Sequence, residues 1–310
     1  MKLGERASII IPTGGRVDAL IETLESIERY APGNEVIVIG DKNDDLTRRA
    51  LRETFHYVKY FESDESSAVV KRNIGIARAT NNILIFVDDD VVIESGWLKS
   101  LLWHYDDISV GGVGGRVKIH GLKGGSSAFK TGVIEEGFVV GNWDPPVNEI
   151  LEVQHLIGCN MSFRRSLVMK VGGFDNFFRS CNFREETDLC LRIRQLGYRL
   201  IFDPNASLVH KALGRKSSGA RWIYYYVRNT IYIYLKYQTE GGLSILRFLR
   251  LLIFPPKDYA ALSGVRISIT PSIPLIATGG LFAGFLGYFT RREHSARVSS
   301  TSPTRSEKQS

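Results

Sequence analysis

Three adjacent carboxylates, Asp88-Asp89-Asp90, follow directly on the apolar run Ile83-Leu84-Ile85-Phe86-Val87. Side chains alternate in an extended chain, which puts Asp88 and Asp90 on the same side. Two hard oxygen ligands so placed suit Mg²⁺ or Mn²⁺, the ions that accompany diphosphates. Elsewhere, Arg72-Asn73-Ile74-Gly75 opens a helix just before the acidic strand. Glu185-Glu186-Thr187-Asp188-Leu189 opens another, and His210 and Lys211 follow a later strand. Each feature alone is common, since acidic residues at a helix start are favoured by the macrodipole and a lone histidine is ordinarily structural. Their joint order is more specific, so the elements that would bring them together matter.

Ala7 to Ile11 reads as a buried strand stopped by Pro12-Thr13-Gly14-Gly15-Arg16, and Val17 to Tyr30 has the apolar spacing of a helix. Glu35 to Ile39 is a second strand with Gly40-Asp41 at its end, followed by a polar helix from about Asp45. Val58 to Phe61 is a short strand, Ala68 to Ala79 a helix, and then comes the strand that reaches Asp88. This alternation predicts an α/β domain with a mostly parallel central sheet and helices on both faces. Ligands of such sheets sit beyond the carboxyl ends of the strands. Arg16, Asp41 and Asp88 to Asp90 all lie at such ends, so one crevice can collect them.

Farther on, Trp97 to Tyr105 reads as a helix and Val110 to Ile119 as a glycine-interrupted strand. The Gly, Ser and Pro content of Gly121 to Glu152 predicts a long functional loop. Phe163 to Val171 and Glu185 to Leu196 read as helices, the second closed by Gly197 before a strand at Arg199 to Phe202 that ends near Asp203.

A chain of 310 residues, 44% hydrophobic and 24% charged, can bury a substantial core. Its first six residues lack the charged-then-apolar pattern of an export segment, which predicts a cytosolic catalytic part. Cys159, Cys181 and Cys190 are odd in number and share no metal-type spacing, so reduced, buried thiols are expected rather than disulfides or a zinc site.

The net charge of +7 is unevenly placed: from Lys211 onward 15 basic residues face 4 acidic ones, leaving 25 against 29 before it. Such a basic third points to an anionic partner. Arg221 to Tyr237 mixes Trp222 and six tyrosines with Arg221, Arg228 and Lys236, as at a membrane interface. Ile267 to Thr290 is uncharged, but its prolines and glycines weigh against a stable single helix, leaving an interfacial or re-entrant hairpin open beside a crossing. The tail from Arg291 to Ser310, rich in Ser, Thr and Arg, is expected to be disordered. Three regions follow: 1–215 catalytic, 216–290 helical and membrane-associated, and 291–310 a tail.

With these residues in view, the chain from Ile9 to about His210 resembles glycosyltransferase family two, of the GT-A type. The resemblance is carried by Pro12-Thr13 with Arg16, Asp41, Lys71-Arg72-Asn73-Ile74-Gly75 and Phe86-Val87-Asp88-Asp89-Asp90. It continues through Gly158-Cys159-Asn160-Met161-Ser162-Phe163-Arg164-Arg165, Gly172-Gly173-Phe174-Asp175, Glu185 to Arg192, and Gly197-Tyr198. It implies a nucleotide-sugar donor, a divalent ion (Mn²⁺ or Mg²⁺) and inversion at the anomeric carbon. Pro12, Thr13, Arg16, Asp41, Arg72, Asp88 and Asp89 would line the donor side, with Asp41 at the base or ribose and Asp88 at the ribose. Asp90 with Asp88 would meet the metal, and His210 would add a metal or diphosphate contact. Asn160 and Asp188 would lie on the acceptor side, Asp188 ordering a loop there or capping its helix. Arg72 is left between a phosphate contact and a structural ion pair.

An incoming hydroxyl must lose its proton as the glycosidic bond forms, and a carboxylate with a raised pKa can take it. The family's acidic pair ends in Asp where this chain has Glu186. The extra methylene moves the carboxylate by about a bond length, which leaves Glu185 and Glu186 both open, with Glu186 favoured.

A sugar nucleotidyltransferase would want a longer glycine-rich loop than Pro12 to Arg16. A processive synthase would want more spans, and has Gln where Ser218 stands before Arg221-Trp222. A non-catalytic scaffold would tolerate a damaged acidic site. For nucleic acid, the apolar runs Leu251-Leu252-Ile253-Phe254 and Leu281-Phe282 are ill suited. The expectation is therefore a glycosyltransferase acting on a glycan or lipid-linked acceptor, held peripherally or by shallow insertion at the cytoplasmic membrane face.

Overall fold

A computed structural model of the chain describes residues 6–120, 130–135, 138–140, 143–179, 183–211, 220–237 and 273–300. Two compact units result, one within Met1–Ser217 and one holding the two C-terminal helices.

In the first unit the strands are β1 (Ala7–Pro12), β2 (Glu35–Asp41), β3 (Lys59–Ser63), β4 (Ile83–Val87), β5 (Val91–Ile93), β6 (Val110–Ile119), β7 (Val133–Glu135), β8 (Phe138–Val140), β9 (Leu151–Val153), β10 (Asn160–Arg164) and β11 (Arg199–His210). Its helices are α1 (Val17–Tyr30), α2 (Asp45–Thr54), α3 (Ala68–Arg78), α4 (Trp97–Trp103), α5 (Arg165–Lys170) and α6 (Glu185–Gln195). Nine strands form one sheet in the order β3-β2-β1-β4-β10-β6-β11-β5, with β9 on β11; β7 and β8 pair separately. Every residue of β1 and β4 is buried, which is why both read as continuous apolar runs.

The sheet is mixed rather than mostly parallel. β3, β2, β1 and β4 pair in parallel, as do β6 and β11, but β10 runs against both of its neighbours, and β5 and β9 run against β11. The cause lies in Asn160–Arg164, expected as sequence before and within a helix from Phe163. Four consecutive buried residues, Asn160 to Phe163, set between two strands carry no surface alternation, so the strand is hard to see beside the helix that follows at Arg165. Inserting β10 has a direct consequence for the crevice. The register Asn160↔Val87 brings Gly158 and Cys159 alongside Asp88.

A second difference concerns β11. Pro204 breaks the pattern after Phe202, yet the strand passes an irregularity between Asp203 and Leu208 and continues to His210. Asp203 steadies that passage, accepting from Asn205 N at 2.8 Å while His104 Nε2 lies 2.9 Å away. His210 thereby sits opposite Val91, one residue beyond the aspartate triplet.

Helix α3 has to lie tight on the sheet, because a Cβ at Gly75 would come within 2.4 Å of Ile10 Cγ2. The Gly172-Gly173-Phe174 turn docks on it from the other side: Asn73 Nδ2 donates to Phe174 O at 2.9 Å and Phe174 N to Asn73 Oδ1 at 2.8 Å. Gly173 has φ +72°, a conformation that side chains rarely adopt. Its ring neighbour Phe174 then meets Phe86 edge-on at 5.3 Å, fixing the turn over β4.

The second unit comprises α7 (Ala220–Lys236) and α8 (Ile273–Ser300), packed on each other. A single helix over this stretch departs from the expectation that its prolines and glycines weigh against one. Pro274 falls in its first turn, where a missing N–H costs nothing. Gly280 and Gly284 face α7 so closely that added Cβ atoms would stand 2.6 Å from Tyr224 O and 2.1 Å from Ile231 Cγ2. The helix also runs through Arg291 to Ser300, where disorder was expected. Among the described residues no helix is long and apolar enough to cross a membrane. Residues 301–310, 267–272, Cys181, Arg215, Ser218 and much of the Gly121 to Glu152 segment lie outside the described residues.

Candidate active site

The site forms where β1, β2 and β4 end. Thr13 N donates to Ile39 O at 2.9 Å, and Lys71 on α3 donates to Thr13 O at 2.5 Å while pairing with Asp41 Oδ1 at 2.7 Å. Pro12 and Thr13 are buried, so they shape this corner from beneath, whereas Asp41 stays partly open. Lys71 was counted in the motif Lys71 to Gly75 but given no role of its own from the sequence. Its signal was a lysine in the first turn of a helix otherwise packed on the sheet.

The triplet divides its work. Asp89 turns inward, accepting from Thr13 Oγ1 at 2.7 Å and ion-pairing with Arg16. Burial pushes the Asp89 carboxyl above its ordinary range, and the Thr13 and Arg16 contacts offset this only in part. Arg16 also donates to Asp90 Oδ2 at 2.7 Å, so it closes the β1 loop onto the triplet. Asp88 and Asp90 both approach one imidazole: His210 Nε2 lies 3.6 Å from Asp88 Oδ2 and 3.3 Å from Asp90 Oδ1. The ring of Trp143 meets His210 edge-on at 6.1 Å, fixing its plane. Lys211 is directed to Glu22 by an ion pair, and its N–H donates to Asp90 O at 2.8 Å.

Asp88, Cys159 and His210 offer ligand atoms all within 4.8 Å of one another. A carboxylate, a thiol and an imidazole so grouped have the donor chemistry of a divalent-cation site. Cys159 had been set aside because its spacing from the other cysteines matches no metal motif. Its partners in fact come from other strands.

Arg72 joins this cluster to α6. It is buried, with Nη2 3.1 Å from Asp88 Oδ1 and Nη1 2.7 Å from Glu185 Oε1, and its guanidinium stacks on Phe174 at 5.6 Å. Arg72 thus forms an ion pair with two carboxylates of the chain. Glu185 is buried in that pair. Glu186 is half-buried beside Gly158, where an added Cβ would lie 3.8 Å from Glu186 Cγ and 3.7 Å from Arg72 Nη2. Burial, and next the neighbouring Glu185 charge, raise the Glu186 carboxyl well above the ordinary carboxylate range. The helix carrying both begins after Arg184, a non-glycine residue at φ +74°. Such a conformation recurs where a structure fixes a functional side chain.

Two expected residues are elsewhere. Asn160 is fully buried, accepting from Trp97 Nε1 at 2.9 Å and donating to Ala206 O at 2.8 Å and Arg116 O at 3.1 Å, so it clamps β10 to its neighbours instead of facing an acceptor. Asp188, also fully buried, pairs with Arg192 at 2.7 Å one turn along α6, and Arg192 donates to Val171 O at 2.6 Å.

Known proteins provide an independent comparison. The pre-mycofactocin glycosyltransferase of Mycobacterium tuberculosis is 27% identical over 210 residues, 66% of this chain and 42% of that protein. A glucosyl-dolichyl phosphate glucuronosyltransferase of Haloferax volcanii is 26% identical over 226 residues, 66% of this chain and 69% of that protein. The chain thus spans less than half the length of the first relative. Among solved structures, a mannosyltransferase from Pyrobaculum calidifontis, in complex with GDP-Man and Mn²⁺, superposes with a TM-score of 0.58 at 20% identity, covering 94% of this chain and 84% of that one. GalNAc-T7 with UDP, GalNAc and Mn²⁺ gives 0.60 at 16% identity, covering 86% of this chain and 57% of that one. These likenesses show a GT-A-like α/β fold. The model of glycosyl transferase family 2 matches residues 8–172, more than half of the chain, and the protein belongs to that family.

Proposed function

We propose that the protein transfers a sugar from a nucleoside diphosphate sugar to a hydroxyl of a glycan or lipid-linked acceptor, with inversion, using Mn²⁺ or Mg²⁺. The observation that carries this reading is the arginine link. Arg72 holds Asp88, at the end of β4, and Glu185, at the start of α6, in one buried unit with Glu186 alongside.

In this reading Asp41 and Asp88 would contact the nucleoside, and Asp88, Asp90 and His210 would hold the divalent ion. When bound, that ion neutralises the diphosphate as a Lewis acid. Glu186 takes the acceptor proton while the acceptor oxygen bonds to the anomeric carbon. The bond from that carbon to the diphosphate breaks, and its electron pair leaves with the nucleotide. Arg72 pairs with Glu185, and burial together with the neighbouring Glu185 raises the Glu186 carboxyl toward the range of a general base. The solved relatives support the donor class, since the one carries GDP-Man with Mn²⁺ and the other UDP with Mn²⁺. Support for a lipid-linked acceptor comes from the Haloferax relative, a glucosyl-dolichyl phosphate glucuronosyltransferase.

Membrane-surface attachment through the C-terminal helices, at the cytoplasmic face, is part of the same proposal. Phe282, Leu286 and Phe289 stand exposed on α8 at helical spacing, in an uncharged stretch followed by Arg291, Arg292 and Arg297.

The test is calorimetric binding of UDP, GDP and dTDP to the full chain, with and without Mn²⁺, alongside Asp90→Ala. Metal-dependent binding of one nucleotide, abolished by the substitution, is expected. A folded protein that binds none of them would shift the reading to a non-catalytic scaffold of the same fold.

A further inference from the structure

We propose that Cys159 is a direct ligand of the divalent ion, which makes this a carboxylate–thiolate–imidazole centre. The inference rests on the donor-site reading above and adds to it a ligand of different chemistry.

Three observations carry it. First, the potential ligand atoms of Asp88, Cys159 and His210 lie within 4.8 Å of one another, and His210 Nε2 is 3.6 Å from Asp88 Oδ2. A separation of 3.6 Å would let His210 and Asp88 both reach one ion at ordinary metal–ligand distances of about 2.0–2.3 Å. Second, the three donors are fixed by different strands. Cys159 directly precedes β10 at a point set by the Asn160↔Val87 pairing, and His210 ends β11 opposite Val91. Neither is on a loop that would have to order. Third, the surroundings hold the donors in place: Arg72 grips the other oxygen of Asp88 at 3.1 Å, and Trp143 sets the imidazole plane. Cys159 and His210 are buried while Asp88 is partly open, leaving Asp88 the side from which an ion and a diphosphate would enter.

Coordination forms a sulfur–metal bond as the thiol releases its proton to solvent. A thiolate changes what the centre accepts. Soft sulfur disfavours Mg²⁺ and favours the later first-row ions, in the order Mn²⁺, Co²⁺, Zn²⁺. Preference among ions would then be decided by Cys159, since carboxylate and imidazole alone would serve several of them.

The experiment uses Co²⁺ as a spectroscopic probe in the full-length protein, with UDP or GDP present and absent. A thiolate ligand gives an intense near-ultraviolet sulfur-to-cobalt charge-transfer band, which carboxylate and imidazole do not. The band should be present in the wild type and in Cys181→Ser, and lost in Cys159→Ser. The Cys159→Ser protein should keep its circular dichroism and weaker visible cobalt bands while binding the ion at least about tenfold more weakly. Co²⁺ bound without the band, or a band lost in Cys181→Ser, would overturn the cysteine ligand and leave the donor site standing. No Co²⁺ binding under either condition would overturn both readings.

Discussion

Residue by residue, the site is governed by which carboxylates are already committed. Glu185 and Glu186 are adjacent, yet only the first is held by Arg72. Replacing Glu186 with Gln should lower kcat by about 10²–10⁴-fold while nucleotide binding by calorimetry is retained. The sign of the pH dependence follows from the raised carboxyl. A base must be deprotonated, so kcat/KM should climb with pH through a limb well above the ordinary carboxylate range, rather than levelling off in mild acid. A profile already flat at that acid side would remove Glu186 from the role. Arg72→Met makes a different prediction. It strands the Glu185 carboxylate in the interior, and breaking such a buried pair costs about 3–5 kcal/mol, readable as a lowered denaturation midpoint. The importance of Arg72 was visible in the sequence from its place in Lys71-Arg72-Asn73. Its partners were not, because Glu185 is far along the chain and nothing local selects it over Glu186.

Among the elements, α3 and β10 do most to assemble the crevice. Helix α3 brings Lys71 and Arg72 to the strand ends, and it can do so only because Gly75 lets it lie against β1. In Gly75→Ala the new Cβ would fall 2.4 Å from Ile10 Cγ2 and 3.0 Å from Ile39 Cδ1. Relief requires the helix or both isoleucines to move, at a cost of about 1–3 kcal/mol. We expect a lower melting temperature together with weaker nucleotide binding. A variant with unchanged binding would show that α3 can shift without moving its first turn. Strand β10 is the element that periodicity could not reveal, since its buried residues lie between two strands and show neither helical nor alternating spacing. The second half of β11 was obscured by Pro204, which stops a regular strand locally but is accommodated here by an irregular register.

Across the whole molecule, the exposed apolar stripe of α8 is the feature tied to where the protein works. Changing Phe282, Leu286 and Phe289 together to Ser should reduce co-sedimentation with vesicles containing anionic lipid by at least about tenfold, since each buried Leu or Phe contributes roughly 1.5–3 kcal/mol. Donor binding should be unaffected, and retention of vesicle binding would assign attachment to charge alone. The sequence by itself determined the α/β alternation and the placing of Asp41 and Asp88 to Asp90 at strand ends, because strand burial and turn residues are written locally. It also determined which segments carry the family's motifs. Only the tertiary structure decided that the sheet is mixed, that Arg72 pairs with Glu185, that Asn160 and Asp188 serve packing, and that Cys159 meets Asp88 and His210. Each of these depends on strand neighbours distant in the chain, and pairing between remote segments is set by the packing of the whole core rather than by any local pattern.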